Sequence, residues 1–491
     1  MIAQIPALQV VLPLIGAPLC VVFRRGALPW FIALAMSWLA LAMVATLLSE
    51  VADGTVISYA IGGWLAPLGI EYVVDPLNAF MMVIVAATGS IVLPFAYRSV
   101  EREIPAEKHF LFYGGYLLMF TGLLGMAITG DAFNVFVFIE ISSLSSYAMI
   151  AMGRDRRALS AAFTYLVMGT VGATFFLIGV GLIYAVTGTL NMADLAQRLP
   201  PLYESRAVLA AFAFISAGLL LKLALFPLHL WLPNAYTYAP SVVTAFLAAT
   251  ATKVAIYLLL RFGYTVFGAE FVFDIVPTSE VLLTLAIAGT VVASLVAIFQ
   301  ADVKRLLAYS SVAQIGYIIL GVSYANVTGM TASLVHIFNH AVTKGALFLV
   351  MGCVAYALGS CRADNFAGLG KRMPLTMAAF VIGGLSLIGV PLTAGFVSKW
   401  YLVLGAIEKG WWPVAVLVLG TSLLAVAYVW RVVEMAYFRD PPADAPEVRD
   451  PPLSLLAPMW ILTAACVYFG IETSLPVGFA VQAAQFLMGA N

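Results

Sequence analysis

Leu221-Lys222-Leu223-Ala224-Leu225-Phe226-Pro227-Leu228-His229 is the stretch on which the reading of this chain turns. It lies inside an apolar run, 207–231, long enough to cross a bilayer as a helix, which takes about 20 residues. A lysine at that depth costs roughly 2.5–3.5 kcal/mol. Pro227 removes a backbone donor and interrupts the helix just beyond it. Irregular backbone is tolerated at membrane depth where it lines a hydrated cavity. The stretch therefore predicts a broken transmembrane helix with a lysine beside its break.

The same device recurs at Pro391-Leu392-Thr393-Ala394-Gly395-Phe396-Val397-Ser398-Lys399, inside the run 374–407. Two interrupted spans in corresponding halves, each with a lysine near the break, predict an internal repeat. In transporters that pattern points to the conducting site.

Working outward, further apolar runs fall at 2–23, 28–49, 73–97, 110–129, 132–152, 159–187, 240–264, 279–300, 305–324, 328–358, 411–438 and 453–471. The fold class is thus an all-α polytopic membrane protein of about fourteen transmembrane helices. The segments 50–72, 188–206 and 439–452 read as connectors, and 476–489 as a short interfacial helix. Composition agrees: 63% of residues are hydrophobic, 10% charged, and mean hydropathy is +1.03. A soluble chain carries about 25% charged residues. The N-terminus has no basic region ahead of its first apolar run, so no cleaved leader is expected.

Net charge is zero, which offers nothing to nucleic acid. Cys20, Cys353, Cys361 and Cys466 form no Cys-x-x-Cys pair and read as small hydrophobes, not as a disulfide or metal framework. No phosphate loop, dinucleotide fingerprint or iron–sulfur cysteine set occurs. No cofactor, metal or nucleotide is expected, and energy must come from an ion gradient or from partner subunits. Fifteen Lys and Arg residues, Lys304 and Arg305 among them, fall in loops on one side of the membrane and three (Arg198, Arg206, Lys409) on the other. The positive-inside rule then predicts both termini on the outer side of a bacterial inner membrane.

Six basic residues fall within spans. Arg261 and Arg431 lie near span ends, where they can snorkel; Glu434 is a natural partner for Arg431. Lys222, Lys253, Lys344 and Lys399 lie deeper, and together cost on the order of 10 kcal/mol. Such charges should face a hydrated interior. Glu140, in the fifth span, has no cation one turn away and needs a partner from another helix. Lys253 follows Thr250 and Thr252 in mid-span, where carbonyls and water could also hold it. His336, His340 and Lys344 are four apart, on one helix face, each about 6 Å above the last. Paired histidines can hold zinc, but no glutamate follows His336 and the next turn supplies a lysine. A histidine titrates near pH 6.5 when unperturbed, which suits a proton relay; satisfied core histidines are the other reading.

With these residues in view, the chain resembles the antiporter-like membrane subunits shared by respiratory complex I and the multisubunit Mrp cation/proton antiporters. Four motifs carry the resemblance. They are Gly130-Asp131-Ala-Phe-Asn-Val-Phe-Val-Phe-Ile-Glu140, Lys222 with Pro227-Leu-His229-Leu-Trp-Leu-Pro233, Lys304-Arg305-Leu-Leu-Ala-Tyr-Ser-Ser311, and His336 to Lys344. Gly62-Gly-Trp-Leu-Ala-Pro-Leu-Gly69 and Val186-Thr-Gly-Thr-Leu-Asn-Met-Ala-Asp-Leu195 are similar to the D-type Mrp subunits, as is lysine at position 399. One departure is Asn234-Ala-Tyr-Thr-Tyr-Ala-Pro240, where complex I relatives often carry Ala-His. His229 remains nearby.

The resemblance implies N-terminal helices over 1–109, inverted five-helix repeats over 110–264 and 277–438 with the seventh and twelfth helices broken, and a last helix and tail over 439–491. It implies that Glu140 pairs with Lys222, that Lys253 sits centrally and that Lys399 guards the far exit. Lys344, His229, Pro227 and Pro391 would support the path. The expected function is a proton-translocating, non-enzymatic subunit of a hetero-oligomeric Na+/H+ antiporter, embedded in lipid beside other membrane subunits. A proton-pumping subunit of complex I or of a membrane-bound hydrogenase is the alternative.

Overall fold

In hydrocarbon a backbone can satisfy its own polar groups along a single segment only as a helix. The computed structural model, which describes residues 4–441 and 446–489, is built almost wholly of helices. In chain order they are α1 (Ile5–Val22), α2 (Leu28–Glu50), α3 (Pro76–Glu103), α4 (His109–Ile128), α5 (Ala132–Ala151), α6 (Arg157–Thr187), α7 (Met192–Arg198), α8 (Arg206–Lys222), α9 (Trp231–Tyr238) and α10 (Ser241–Leu260). There follow α11 (Thr278–Ile298), α12 (Val303–Ser323), α13 (Val327–Leu358), α14 (Leu369–Arg372), α15 (Pro374–Ile388), α16 (Ala394–Glu408), α17 (Trp412–Phe438), α18 (Leu453–Ile471) and α19 (Ser474–Met488).

Twelve of the described helices are long and apolar enough to cross a membrane unbroken. The two other spans are the interrupted ones. The seventh is α8 followed by α9, and the twelfth is α15 followed by α16. The expected start of the first span, at residue 2, lies outside the described residues. One sequence expectation needs correction. The connector 50–72 is not all loop, because β1 (Ile57–Ala60) pairs antiparallel with β2 (Glu71–Val74), Ile57 opposite Val74. The tail helix α19 packs on α3 and α13, and Gln482 bonds the Ala52 carbonyl.

Both interruptions bend the chain through left-handed backbone at a non-glycine residue, Ala224 (φ 61°) and Leu392 (φ 70°). The Phe226–Pro227 peptide is cis. Around them the helices are drawn together by small residues, as bilayer packing favours. A Cβ on Gly218 of α8 would sit 2.5 Å from the Gly172 carbonyl of α6.

A local pattern appears twice. Ahead of α5, Ala132 N–H bonds the Leu190 carbonyl and Met192 N–H bonds the Gly130 carbonyl, at 2.8 and 2.9 Å. Ahead of α12, Val303 N–H bonds the Cys361 carbonyl and Ala363 N–H bonds the Ala301 carbonyl, both at 2.9 Å. In each copy an aspartate, Asp131 or Asp302, caps the helix by accepting from the N–H three residues on. In each copy the intervening long helix, α6 or α13, ends on a left-handed glycine, Gly188 or Gly359, both at φ 72°.

The centre is α13. It is 32 residues long, or about 48 Å at 1.5 Å per residue. It touches α3, α10, α12, α15, α16, α18 and α19, so nearly every face is buried.

Candidate functional site

The first half of the broken seventh span ends at Lys222, so the ammonium lies at the carbonyl end of α8, where the helix dipole favours a cation. Its Nζ donates to Ser143 Oγ of α5 at 2.8 Å. The ion pair with Glu140 that the resemblance implies is not formed here; Lys222 rests on a hydroxyl one turn further along the same helix. Glu140 is half-buried, on a face of α5 that also shows Phe133, Val137 and Leu144 outward. Beside Lys222 lies a cavity of about 30 Å³, lined by Ser142, Ser143, Tyr165, Ala251 and Ala255. A water needs about 10–15 Å³ of such space. The two alanines belong to α10 and flank Lys253, so the void lies between one lysine and the helix of the next.

Lys253 is fully buried, and its Nζ turns back to the Ala248 carbonyl of its own helix. Helix α10 packs against both α8 and α13 and so bridges the first lysine to the histidine stripe. On α13 the His336 and His340 rings lie parallel, centroids 6.2 Å apart. Both ring nitrogens of His340 are buried with no partner among the described residues. A buried polar group of that kind calls for water. His336 is held on both sides, Nδ1 2.7 Å from Ser398 Oγ and Nε2 2.9 Å from Gln314 Oε1. Lys344, a turn below His340, donates to the Leu307 carbonyl at 2.9 Å and to Ser310.

Lys399 belongs to α16 but reaches back across the break. Its Nζ donates to the Leu387 and Ile388 carbonyls, at 3.3 and 2.6 Å, and to Ser422 Oγ at 2.9 Å. It therefore caps the carbonyl end of α15, as Lys222 sits at the carbonyl end of α8. Both ammoniums use the same half-helix charge. The Lys399 ammonium also lies 4.8 Å from the centre of the Tyr317 ring, and that ring meets His336 edge-on at 5.9 Å. His336, Ser398, Lys399 and Tyr317 thus form one cluster. Pro227 and Pro391 both lie in the interruptions, as read. His229 is buried, stacked on Phe226 at 5.3 Å and edge-on to Tyr309 at 6.3 Å, with Nδ1 unpartnered among the described residues.

Three basic residues differ from the sequence reading. Arg261 does not snorkel; it is buried in an ion pair with Asp75 at 2.6 Å and also bonds the Tyr257 hydroxyl. Its segment, Arg261–Val266, winds as a π-helix. Arg431 ignores Glu434 and donates to the Ile298 and Gln300 carbonyls, while Glu434 pairs with Arg439 at 3.0 Å. Lys304 is no loop cation; it is buried in the first turn of α12 and bonds the Ala239 carbonyl at 2.7 Å. Ser143, Gln314, Ser398, Tyr317 and Ser422, which hold the charged groups, were not singled out. Only Gln314, an amide within an apolar run, carries a sequence signal strong enough to find.

The family described as NADH:quinone oxidoreductase/Mrp antiporter, transmembrane, matches residues 129–425 of this chain, from the first of the paired caps to the seat of Lys399. The chain is 45% identical to the N subunit of the NADH-quinone oxidoreductase of Desulforudis audaxviator, over 96% of each. It is 28% identical to the D-type subunit of the Na(+)/H(+) antiporter of Bacillus subtilis, over 98% of this chain and 96% of that one. Its fold superposes on a chain of the Mrp complex from a Dietzia species with a TM-score of 0.92 at 28% identity, covering 100% of this chain and 98% of that one.

Proposed function

The chain belongs to the NADH:quinone oxidoreductase/Mrp antiporter transmembrane family, and from that membership we propose that it moves protons as one membrane component of a larger complex, by way of Lys222, Lys253, His340, His336 and Lys399. The observation that carries this reading is how the buried charges are held. Each of the three lysines is seated on carbonyl or hydroxyl oxygens, with no carboxylate among the described residues in an ion pair with it. An ammonium on neutral acceptors is free to give up its proton, whereas a neighbouring carboxylate would hold it. Two unit charges 4 Å apart interact by about 4 kcal/mol at an effective dielectric of 20. Glu140 closing on Lys222 would therefore retain the proton, and the separated arrangement would release it toward the void beside α10.

On this reading the paired caps before α5 and α12 mark two inverted five-span units, 110–264 and 277–438, each with its lysine at the break. The exchanged cation is proposed to be Na+, by analogy with the named antiporter relative. The 45% relative, named as part of a quinone oxidoreductase, favours a second reading in which the same proton path serves a redox-driven complex. Co-purified partners separate the two: small membrane subunits alone, or subunits bearing redox centres.

The test of transport itself is Lys253→Leu in the assembled complex, reconstituted in vesicles. Proton flux is expected to fall to background. A variant that keeps wild-type flux and gains thermal stability would make Lys253 a mere structural burden and end the proposal.

A further inference from the structure

Away from the lysine–histidine row, the side of the molecule that carries the basic loops contains a cavity of about 240 Å³. It lies between the start of α6, the end of α9, the start of α12 and the loop after α13. Arg157, Arg305 and Arg362 line it from three different segments, with Tyr238, Gln300 and a single carboxylate, Asp302.

The three guanidiniums are not alike. Arg157 is exposed, paired with Asp155 at 2.5 Å and laid over the Tyr238 ring at 4.7 Å. Arg362 is exposed and reaches Asp364 at 3.5 Å. Arg305 is half-buried, and its Nε–H is shut off from solvent with no hydrogen-bond partner among the described residues. A guanidinium donor stranded in that way is uncommon and calls for an ion or water. Asp302 is occupied as the cap of α12, accepting from the Arg305 backbone N–H at 3.0 Å. Burial holds its carboxyl above the usual carboxylate range, so it takes up a proton more readily than an exposed one.

The segments that line the cavity also carry exposed apolar side chains. Leu159 and Phe163, one turn apart on α6 just past Arg157, are 61% and 67% exposed, and Phe299, beside Gln300, is 79% exposed. A free anion has no use for exposed apolar side chains nearby, but acyl chains do. Basic pockets between transmembrane helices on this side are suited to phospholipid headgroups, and arginine matches a phosphate with paired N–H donors. The volume admits a phosphodiester with some water, each water taking about 30 Å³.

We propose that this cavity binds the phosphodiester headgroup of an anionic phospholipid, with Arg305 as its half-buried ligand, Arg157 and Arg362 closing over it, and the acyl chains lying along Leu159, Phe163 and Phe299. The bound lipid ties α9, the second half of the broken seventh span, to α6 and α12. It thereby stiffens the segment that follows Lys222.

The experiment uses the assembled complex in nanodiscs of phosphatidylcholine doped with phosphatidylglycerol, and counts the lipid retained on this chain by native mass spectrometry. The wild type is expected to retain phosphatidylglycerol in preference to phosphatidylcholine. Arg305→Gln should lower that retention about tenfold, the loss that follows removal of a charge-assisted contact to phosphate. Arg24→Gln, in another basic loop of the same side, should leave it unchanged. If Arg305→Gln does not elute as wild type, Arg305→Lys takes its place and should show weaker retention, because it keeps the charge but loses the fork. Equal retention by wild type and the Arg305 variant overturns the proposal. So does a wild type that holds phosphatidylcholine equally well, or one whose phosphatidylglycerol is displaced by millimolar inorganic phosphate, which would assign the cavity to a free anion.

Discussion

A lysine bonded to a serine and a lysine bonded to a glutamate differ in what a mutation would remove. Since Lys222 donates to Ser143 and stands apart from Glu140, its two neighbours should give separable phenotypes. Lys222→Ala and Glu140→Ala are each expected to abolish cation-linked proton flux in vesicles while the complex still assembles. Ser143→Ala should slow the flux without abolishing it, since water can replace one neutral hydrogen bond worth about 1 kcal/mol. Wild-type flux in both charge variants would refute the pair. The histidines make a second case. His336 is clamped by Ser398 and Gln314, whereas His340 has no hydrogen-bond partner among the described residues. Combining His336→Ala with His340→Ala should alter the pH profile of transport, and an unaltered profile would remove the stripe from the pathway. Arg261 makes a third. Its loss leaves Asp75 buried and uncompensated, which costs about 3–5 kcal/mol. Arg261→Ala should therefore lower the thermal unfolding midpoint markedly, and a midpoint within error of wild type would mean that the ion pair carries no such weight.

Among the elements, the two interrupted helices were readable in advance because proline and lysine are expensive there and leave a conspicuous mark in an apolar run. The charged members of the site were readable for the same reason: Lys222, Lys253, His336, His340 and Lys399 stand out against leucine and valine. Their seats were not. Ser143, Ser398 and Ser422 are common in membrane helices, and only the crossing of one helix over another decides which of them faces a lysine. The destination of Arg261 was hidden likewise, since Asp75 lies 186 residues away and only the packing of α3 against α10 brings them together. The β1–β2 hairpin is too short to leave a periodic signal. The second interruption yields a prediction of its own. Gly389 sits at φ 89°, and a Cβ there would meet Lys399 Cδ at 2.8 Å. Gly389→Ala combines left-handed backbone strain of about 1–2 kcal/mol with displacement of the lysine from its carbonyl seat. Both the unfolding midpoint and proton flux should drop; a variant that retains both would show that the seat is unimportant.

For the molecule as a whole, the distribution of polar groups separates an inside from an outside. Lys222, Lys253, Lys344, Lys399, His336 and His340 are turned inward, while Phe163, Leu423 and Trp430 are among the large apolar side chains turned out. Glu140 departs from this pattern, half-buried on an otherwise apolar outer face of α5. A carboxylate so placed is costly against lipid and less so against protein, in keeping with membership of a multisubunit family. Cells lacking their own antiporter should accordingly recover growth under sodium or alkaline stress when given the whole operon, and not when given this gene alone. Recovery with the single gene would show an autonomous transporter.

The burial of α13 on nearly every side limits how this protein can cycle. A transporter that swings one bundle against another, or slides a domain like an elevator, needs a greasy seam along which whole helices can slip. Here the helix that bears both histidines is the spindle on which the surrounding helices are mounted, and moving it would unseat most of the core at once. If the chain moves protons as proposed, turnover is expected to proceed by rotamer flips and the rewetting of small voids around a stationary axle, with displacements of side chains and not of domains.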